Sequence, residues 1–264
     1  MRRALLLAGV ATLALAGVAY AATTVTPRYI LHGRLTPKRS GTPAHPVTVS
    51  GQLGWTVKTT PPGQRPPVVR GYHFYLQGLR ANTNEFPACS TSKLNSTGPS
   101  GCARGSQIGT GELMVEVGPS SSTAITLTCR ADVKLYNGGA STVVFYVYRG
   151  TEADACALPP PGFYTIVARL SRAHHGRDLV VNYSVPTAVR HPAPGLDAAV
   201  VSSTVTIDRE QTTVKKRIGR RTRRERVGLL ESVFCPHNHQ RTLIGTFTSE
   251  DGHSRTSNAH IACT

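Results

Sequence analysis

The densest cluster of charge in this sequence is KKRIGRRTRRER, residues 215–226. Eight of its twelve residues are basic and one, Glu225, is acidic, so the cluster supplies +7 of the chain's formal charge of +16. The cations are Lys215, Lys216, Arg217, Arg220, Arg221, Arg223, Arg224 and Arg226. Such a run attracts polyanions through counterion release. Because no aromatic side chains are interleaved for base stacking, we predict a polyanion-binding segment with no specific nucleic-acid partner. A solvated loop without any partner is the alternative.

Two pairs of ring-bearing residues also have a spacing that suggests binding. His73 and Tyr75 are two residues apart on one predicted strand, and Tyr146 and Tyr148 are two apart on another, so each pair shares one strand face. Aromatic rings on an exposed sheet face can stack on sugars through apolar contact. The four residues therefore form a candidate glycan-binding face, and packing between neighbouring strands is the alternative.

Catalytic and metal-binding patterns are weak in this chain. The sequence contains no Gly-x-Ser-x-Gly and no Cys-x-x-Cys. His237 and His239 could face one ion, but a site needs three or four ligands; the nearest further candidates are His253 and His260, and carboxylate or unpaired Cys partners are missing. Glu112 and Glu116 share a face at roughly 13 Å, beyond the ~5–9.5 Å that glycoside hydrolysis uses. We therefore assign no catalytic residue, no metal and no cofactor.

The elements that position these residues are predicted to be strands. Along AITLTCRADVKLY, residues 124–136, apolar and polar residues alternate, as in a half-buried antiparallel strand. Asn137-Gly138 then predicts a hairpin turn into TVVFYVYRG, and Asp251-Gly252 predicts a second hairpin near the end of the chain. Further strands are predicted at residues 28–35, 68–80, 107–117, 163–171, 179–185 and 199–208. No helix of three turns is predicted after the first 21 residues.

Proline-rich stretches at residues 59–67, 158–162 and 191–195 interrupt this pattern and must be loops. The strand spacing does not change across them. The sequence therefore predicts an all-β fold, an antiparallel β-sandwich related to jelly rolls, over residues 22–264. A division into two domains near residue 187 is the alternative.

The first 21 residues are typical of a secretory signal peptide. Arg2 and Arg3 precede an apolar run, and Ala19-Tyr20-Ala21 places small residues where signal peptidase cleaves. The run is shorter than the roughly 20 residues that span a bilayer, and no later segment is apolar enough to do so. We predict cleavage after Ala21 and a secreted or envelope-associated protein without a transmembrane segment.

An even number of cysteines fits this prediction of export. Six cysteines allow 15 pairings, and an exported chain is expected to join them as three disulfides. We predict sequential pairing, in which each bond closes a short local loop: Cys89 with Cys102, Cys129 with Cys156, and Cys235 with Cys263.

The segment FPACSTSKLNSTGPSGCARGSQIGTGEL, residues 86–113, resembles a group of exported, β-rich actinobacterial proteins of uncharacterised function. The shared elements are a Cys-x-x-x-x-Leu, then Gly-Pro-x-x-Cys, then Gly-Ser-x-x-Gly-x-Gly. The same group ends with Cys-Pro, an Asp-Gly hairpin and a last Cys. The matching residues are Cys89, Leu94, Gly98, Pro99, Cys102, Gly105, Ser106, Gly109, Gly111, Cys235, Pro236, Asp251, Gly252 and Cys263. Ala103 departs from the pattern, which has Pro there. The resemblance implies export, disulfides and a β fold, and it implies no catalytic residue.

Three hypotheses for function follow from the sequence. In the first, a non-enzymatic exported protein binds anionic cell-envelope or extracellular polymers through residues 215–226. In the second, the sandwich supports a glycan-active lyase or hydrolase, which is an analogy of fold alone. In the third, the chain is a structural module that associates with itself. The sequence does not define the ligand or the oligomeric state.

Overall fold

The computed structural model describes residues 24–218 and 221–264, apart from the side chains of His175, Lys216, Ile218 and Arg221. The predicted signal peptide lies outside these residues. The all-β prediction is confirmed, and the described helices, α1 (Thr91–Thr97) and α2 (Thr187–Arg190), are short. The strands are β1 (Thr26–Thr36), β2 (Val47–Thr48), β3 (Ser50–Thr60), β4 (Val69–Leu76), β5 (Leu79–Ala81), β6 (Gln107–Pro119), β7 (Leu127–Gly139), β8 (Thr142–Tyr148), β9 (Phe163–Ala173), β10 (Asp178–Ser184), β11 (Leu196–Ile207), β12 (Gln211–Ile218), β13 (Arg221–Gly228), β14 (Leu230–Ser232), β15 (Gln240–Ser249) and β16 (Ser254–Ala262).

Eleven of these strands form one antiparallel sheet, in the order β1-β3-β11-β6-β7-β8-β9-β10-β4-β15-β16. The sheet curls until its two edge strands lie side by side, where the Ser257 hydroxyl donates to the Tyr29 carbonyl at 2.8 Å. The two layers expected of a sandwich are therefore opposite walls of one continuous sheet. Strands from before and after residue 187 alternate in it, since β11 lies between β3 and β6 and β15 pairs with β4.

The predicted alternation on β7 is confirmed. Cys129, Ala131, Val133 and Leu135 are buried on the inner face, and Arg130 between them is half-buried on the outer face. At one level of the interior the inner faces carry large aromatic rings that pack tightly. The rings of Tyr29 and Phe247 stack with their centroids 3.8 Å apart, and further rings surround them: Trp55, Tyr72 and Phe74.

The predicted Asn137-Gly138 turn is wrong by three residues. β7 continues to Gly139, and the turn residues are Ala140 and Ser141, both with positive φ. Asn137 is instead fully buried, and its side-chain amide donates at 2.8–3.0 Å to the carbonyls of Thr83, Phe86 and Pro87. The hairpin between β7 and β8 is therefore present, but Asn137 anchors a neighbouring loop.

The second predicted hairpin and the cysteine pairing are both confirmed. β15 and β16 are joined by a turn in which Gly252 has φ of 87°. The disulfides are Cys89–Cys102, Cys129–Cys156 and Cys235–Cys263. The described residues include no helix long and apolar enough to cross a membrane.

A small three-stranded sheet, in the order β2-β14-β5, covers the end of the interior at which β11 finishes. We call this the closed end. Glu231 of β14 is 2% exposed and accepts two hydrogen bonds from Arg80, at 3.0 and 2.6 Å, and one from the Gly228 amide at 2.9 Å. A buried carboxylate needs such partners because desolvation alone would be costly.

Candidate polyanion-binding surface

The basic cluster lies on a two-stranded hairpin, formed by β12 and β13. Residues 219–220, between β12 and β13 in the sequence, lie outside the described part of the chain, and they include Arg220. Lys216 is opposite Arg223 and Ile218 is opposite Arg221 in the backbone register. The predicted binding segment is therefore an extended, two-stranded element rather than a helix.

The register collects four cations on one face of this hairpin. Lys215 is opposite Arg224, Arg217 is opposite Thr222, and Thr213 is opposite Arg226. Residues opposite each other in an antiparallel pair share a face, as do residues two apart along a strand. We call this the cationic face and define it by its charged residues: Lys215, Arg217, Arg224 and Arg226. All four are exposed, and no carboxylate lies among the described side chains of this face.

The other face of the hairpin is mixed in character. Val214 lies opposite Glu225, and Thr212 lies opposite Val227. Arg223 shares this face with Glu225, so its charge has an acidic neighbour two residues away. By the same register, positions 216 and 221 also lie on this face, so its net formal charge is +2, against +4 on the cationic face.

Like charges opposite each other destabilise a strand pair. Here Lys215 lies opposite Arg224, and Lys216 opposite Arg223. A bound polyanion would relieve this repulsion, so ligand binding and hairpin formation should favour each other.

Contacts at the base of the hairpin hold it against the closed end. The Arg209 guanidinium donates to the Thr48 carbonyl at 3.1 Å, and the Gln211 amide donates to the Thr48 hydroxyl at 2.8 Å. The Leu229 amide donates to the Glu210 carbonyl at 3.0 Å. The hairpin thus projects from a defined place on the molecule.

The candidate glycan residues do not form one exposed row. β9 and β10 separate β8, which carries Tyr146 and Tyr148, from β4, which carries His73 and Tyr75. Tyr146 is 9% exposed because α1 and its disulfide cover this part of the outer face, and its ring stacks on Phe163 at 5.0 Å. Burial, with the neighbouring tyrosine, raises the pKa of the Tyr146 hydroxyl. The Tyr146 ring is consequently a packing element that a sugar cannot reach.

The side chains of His73 and Tyr75 each form a hydrogen bond with a side chain of β10. Nδ1 of the exposed His73 is 2.6 Å from the Asn182 side-chain oxygen. The Tyr75 hydroxyl donates to Asp178 at 2.7 Å, and burial together with this hydrogen bond raises the Tyr75 pKa. These contacts fix the two side chains on the outer wall of the sheet.

A polar cluster that the sequence did not indicate lies near the opposite end of the molecule. His191 contacts Asp197 through Nδ1 at 3.0 Å and Glu250 through Nε2 at 2.8 Å. Arg190 pairs with Glu250, and Arg65 pairs with Asp197 at 3.2 Å. These residues come from distant parts of the chain, and no spacing in the sequence links them. Because their charges face one another, the cluster holds α2 in place.

The described residues contain no group of three or more His, Cys, Asp or Glu that could hold a metal ion. The backbone carbonyl of His239 accepts a hydrogen bond from the Cys263 amide at 2.9 Å. Comparison with protein-family models, with curated proteins and with solved structures finds no match. Function must therefore be argued from geometry and charge.

Proposed function

We propose that this is an exported, non-enzymatic protein that binds an anionic cell-envelope or extracellular polymer through the cationic face of its hairpin. One observation carries the proposal: Lys215, Arg217, Arg224 and Arg226 lie on one exposed hairpin face. Three disulfides fit an extracellular setting.

The spacing of the cations suits a linear polymer. Neighbours across the strands have Cβ atoms about 5 Å apart, and neighbours along a strand are about 6.6 Å apart. Side chains at this spacing can contact successive phosphates or carboxylates of one chain. Arg guanidinium groups also bind such oxygens through two parallel hydrogen bonds. Length and charge density, rather than the identity of a sugar, should thus determine affinity.

The test is co-sedimentation of the mature, oxidised protein with purified cell-envelope sacculi over a salt series. The test variant changes Lys215, Arg217, Arg224 and Arg226 to Gln. The control variant changes four scattered, exposed cations to Gln and so removes the same charge: Lys58, Lys93, Arg104 and Arg172. By analogy with four phosphate contacts on a nucleic acid, wild-type affinity should fall about 100-fold between 50 and 200 mM salt.

We expect the test variant to remain in the supernatant at low salt while the control variant pellets with the sacculi. Equal loss in both variants would mean that net charge, and not the cationic face, drives binding. If neither the wild type nor the control pellets at low salt, the hairpin does not bind this polymer and the proposal fails.

A further inference from the structure

The interior of the sheet is not packed along its whole length. At the end opposite the hairpin, an apolar cavity of 460 Å³ lies between the walls of the sheet. α2 and the residues after it border the cavity on one side, and residues 156–159, tied by the Cys129–Cys156 disulfide, border it on another. Close-packed protein interiors contain few voids larger than a water molecule. A cavity of this size therefore calls for an explanation.

Small side chains create this cavity. Ala131 of β7, Ala198 of β11 and Ala188 of α2 all line it, with Ala131 four residues further inward along β7 than the position level with Ala198. Further inward the inner faces carry large aromatic rings instead. At the rim Leu127 is 50% exposed, which is unusual for a Leu on the inner face of this sheet. The cavity thus has an apolar wall and an apolar rim.

Two smaller voids lie further inward along β7. Leu127, Cys129 and Ala131 line the cavity itself. Val133 lines a second void of 80 Å³, and Leu135 lines a third of 90 Å³. These residues span about 26 Å of strand at ~3.3 Å per residue. The cavity and the second void share Leu113, Val147 and Val200 in their walls, so the unfilled apolar space is elongated along the strands, which suits a flexible chain better than a rigid ring system.

We propose that this cavity binds one hydrocarbon chain of a lipid, with the polar end of the lipid at the rim. A cavity of about 150 Å³ holds one benzene molecule, so 460 Å³ has room for roughly 18 carbon atoms by proportion. The rim cation Arg190 already pairs with Glu250 and donates to the Val185 carbonyl at 3.0 Å. Burial of the chain should therefore supply the affinity, and a charged headgroup is not required.

Native mass spectrometry of the mature protein with single-chain lipids tests the proposal. Monopalmitoylglycerol, which is uncharged, and palmitic acid should each give a one-to-one adduct. The uncharged lipid is needed because a fatty acid could also bind a basic surface through its carboxylate. If only the acid binds, the site is electrostatic and the cavity proposal is overturned. The absence of any adduct overturns it as well.

Two substitutions fill the cavity from different walls, Ala198→Phe and Ala131→Phe. Each should weaken binding of monopalmitoylglycerol at least tenfold, because the ring takes volume that the chain would occupy, and a cooperative thermal transition checks that each variant folds despite the cost of overpacking. Ala103→Phe adds the same ring in an exposed loop and should bind like the wild type. If both filled variants fold and bind as tightly as the wild type, the chain does not occupy this cavity.

A measurement on the wild type avoids dependence on variants that fail to fold. A stearate methyl ester with a nitroxide on its chain should broaden the methyl resonances of Val115 and Val117, which line the cavity. It should broaden Val144 less, because Val144 is buried beneath α1 on the outer face. Broadening of Val144 alone would contradict the proposal. The hairpin variant of the preceding section should bind the lipid unchanged, which separates the two proposals.

Discussion

Asn137 is fully buried, and its side-chain amide joins β7 to the loop that holds Thr83, Phe86 and Pro87. We predict that Asn137→Ala lowers the free energy of unfolding by about 2 kcal/mol, since three carbonyls lose their donor. Asn137→Asp should cost more than about 3 kcal/mol at neutral pH, because it directs a carboxylate at carbonyl oxygens. Chemical denaturation of both variants measures the difference.

Asn137→Asp also distinguishes two roles for Asn137, a turn residue of the hairpin and an anchor for the neighbouring loop. Asn-Gly and Asp-Gly are nearly equivalent as hairpin turns. If Asn137→Asp is as stable as the wild type, the hydrogen bonds from the Asn137 amide to the three carbonyls do not contribute to the free energy of unfolding. The sequence indicated the hairpin correctly, but it could not show that the amide is used by residues some 50 positions away.

Asp251 stabilises the turn between β15 and β16. Its carboxylate accepts from the Ser249 hydroxyl and, at 3.0 Å, from the His253 amide, and these bonds lower its pKa. A lowered folded-state pKa gives stability that is present above the unfolded value near 3.8 and is lost as pH falls through the folded value. We predict that the wild type exceeds Asp251→Asn in stability at pH 6 and loses this advantage by pH 2.

The effect of Asp251 should be at most about 1 kcal/mol because the carboxylate is exposed and screened. Thermal unfolding of both proteins between pH 6 and 2 measures it, since other acid-sensitive groups cancel in the difference. A difference that stays constant with pH would show that the charge of Asp251 plays no part in the turn.

At the scale of elements, Glu231 pairs with Arg80 inside the small sheet of the closed end and accepts from the Gly228 amide at the base of the hairpin. We predict that Glu231→Gln lowers the free energy of unfolding by about 3 kcal/mol, because it leaves the Arg80 charge partly buried without its partner. Glu152→Gln in an exposed loop is the matched control and should change little. Equal stability of the two variants in urea would contradict this role.

The elements themselves were largely predictable, whereas their contacts were not. Alternation of apolar residues located the long strands because one face of each is buried, as on β7. The strands of the hairpin that carries the basic cluster were not among those predicted, because a run of cations hides the apolar alternation that marks a strand. Sequence alone did not show that α1 would cover Tyr146, because a seven-residue helix closed by a disulfide leaves no periodic signal.

At the scale of the whole molecule, the two proposed sites lie at opposite ends. β11 begins beside the apolar cavity at Leu196 and ends at the closed end, from which β12 continues into the hairpin. A molecule held to a polymer by its cationic face would therefore direct the rim of the cavity away from the attachment point. Spacing in the sequence could not reveal the cavity. The small side chains that line it belong to β7, β11 and α2, and those on β7 lie far along the chain from the others.

The number of strands in the main sheet has a geometric consequence. All neighbours in it are antiparallel, and a closed circle of alternating directions needs an even number of members, whereas this sheet has eleven. β1 and β16 must therefore run the same way where they meet, as the proximity of Tyr29 to Ser257 and of Gly33 to Ile261 confirms. Because β1 and β16 run the same way, side-chain contacts join them. Each of these two edge strands still shields the other from solvent. A strand from another molecule could therefore add to an edge of this eleven-stranded sheet only after β1 and β16 had separated.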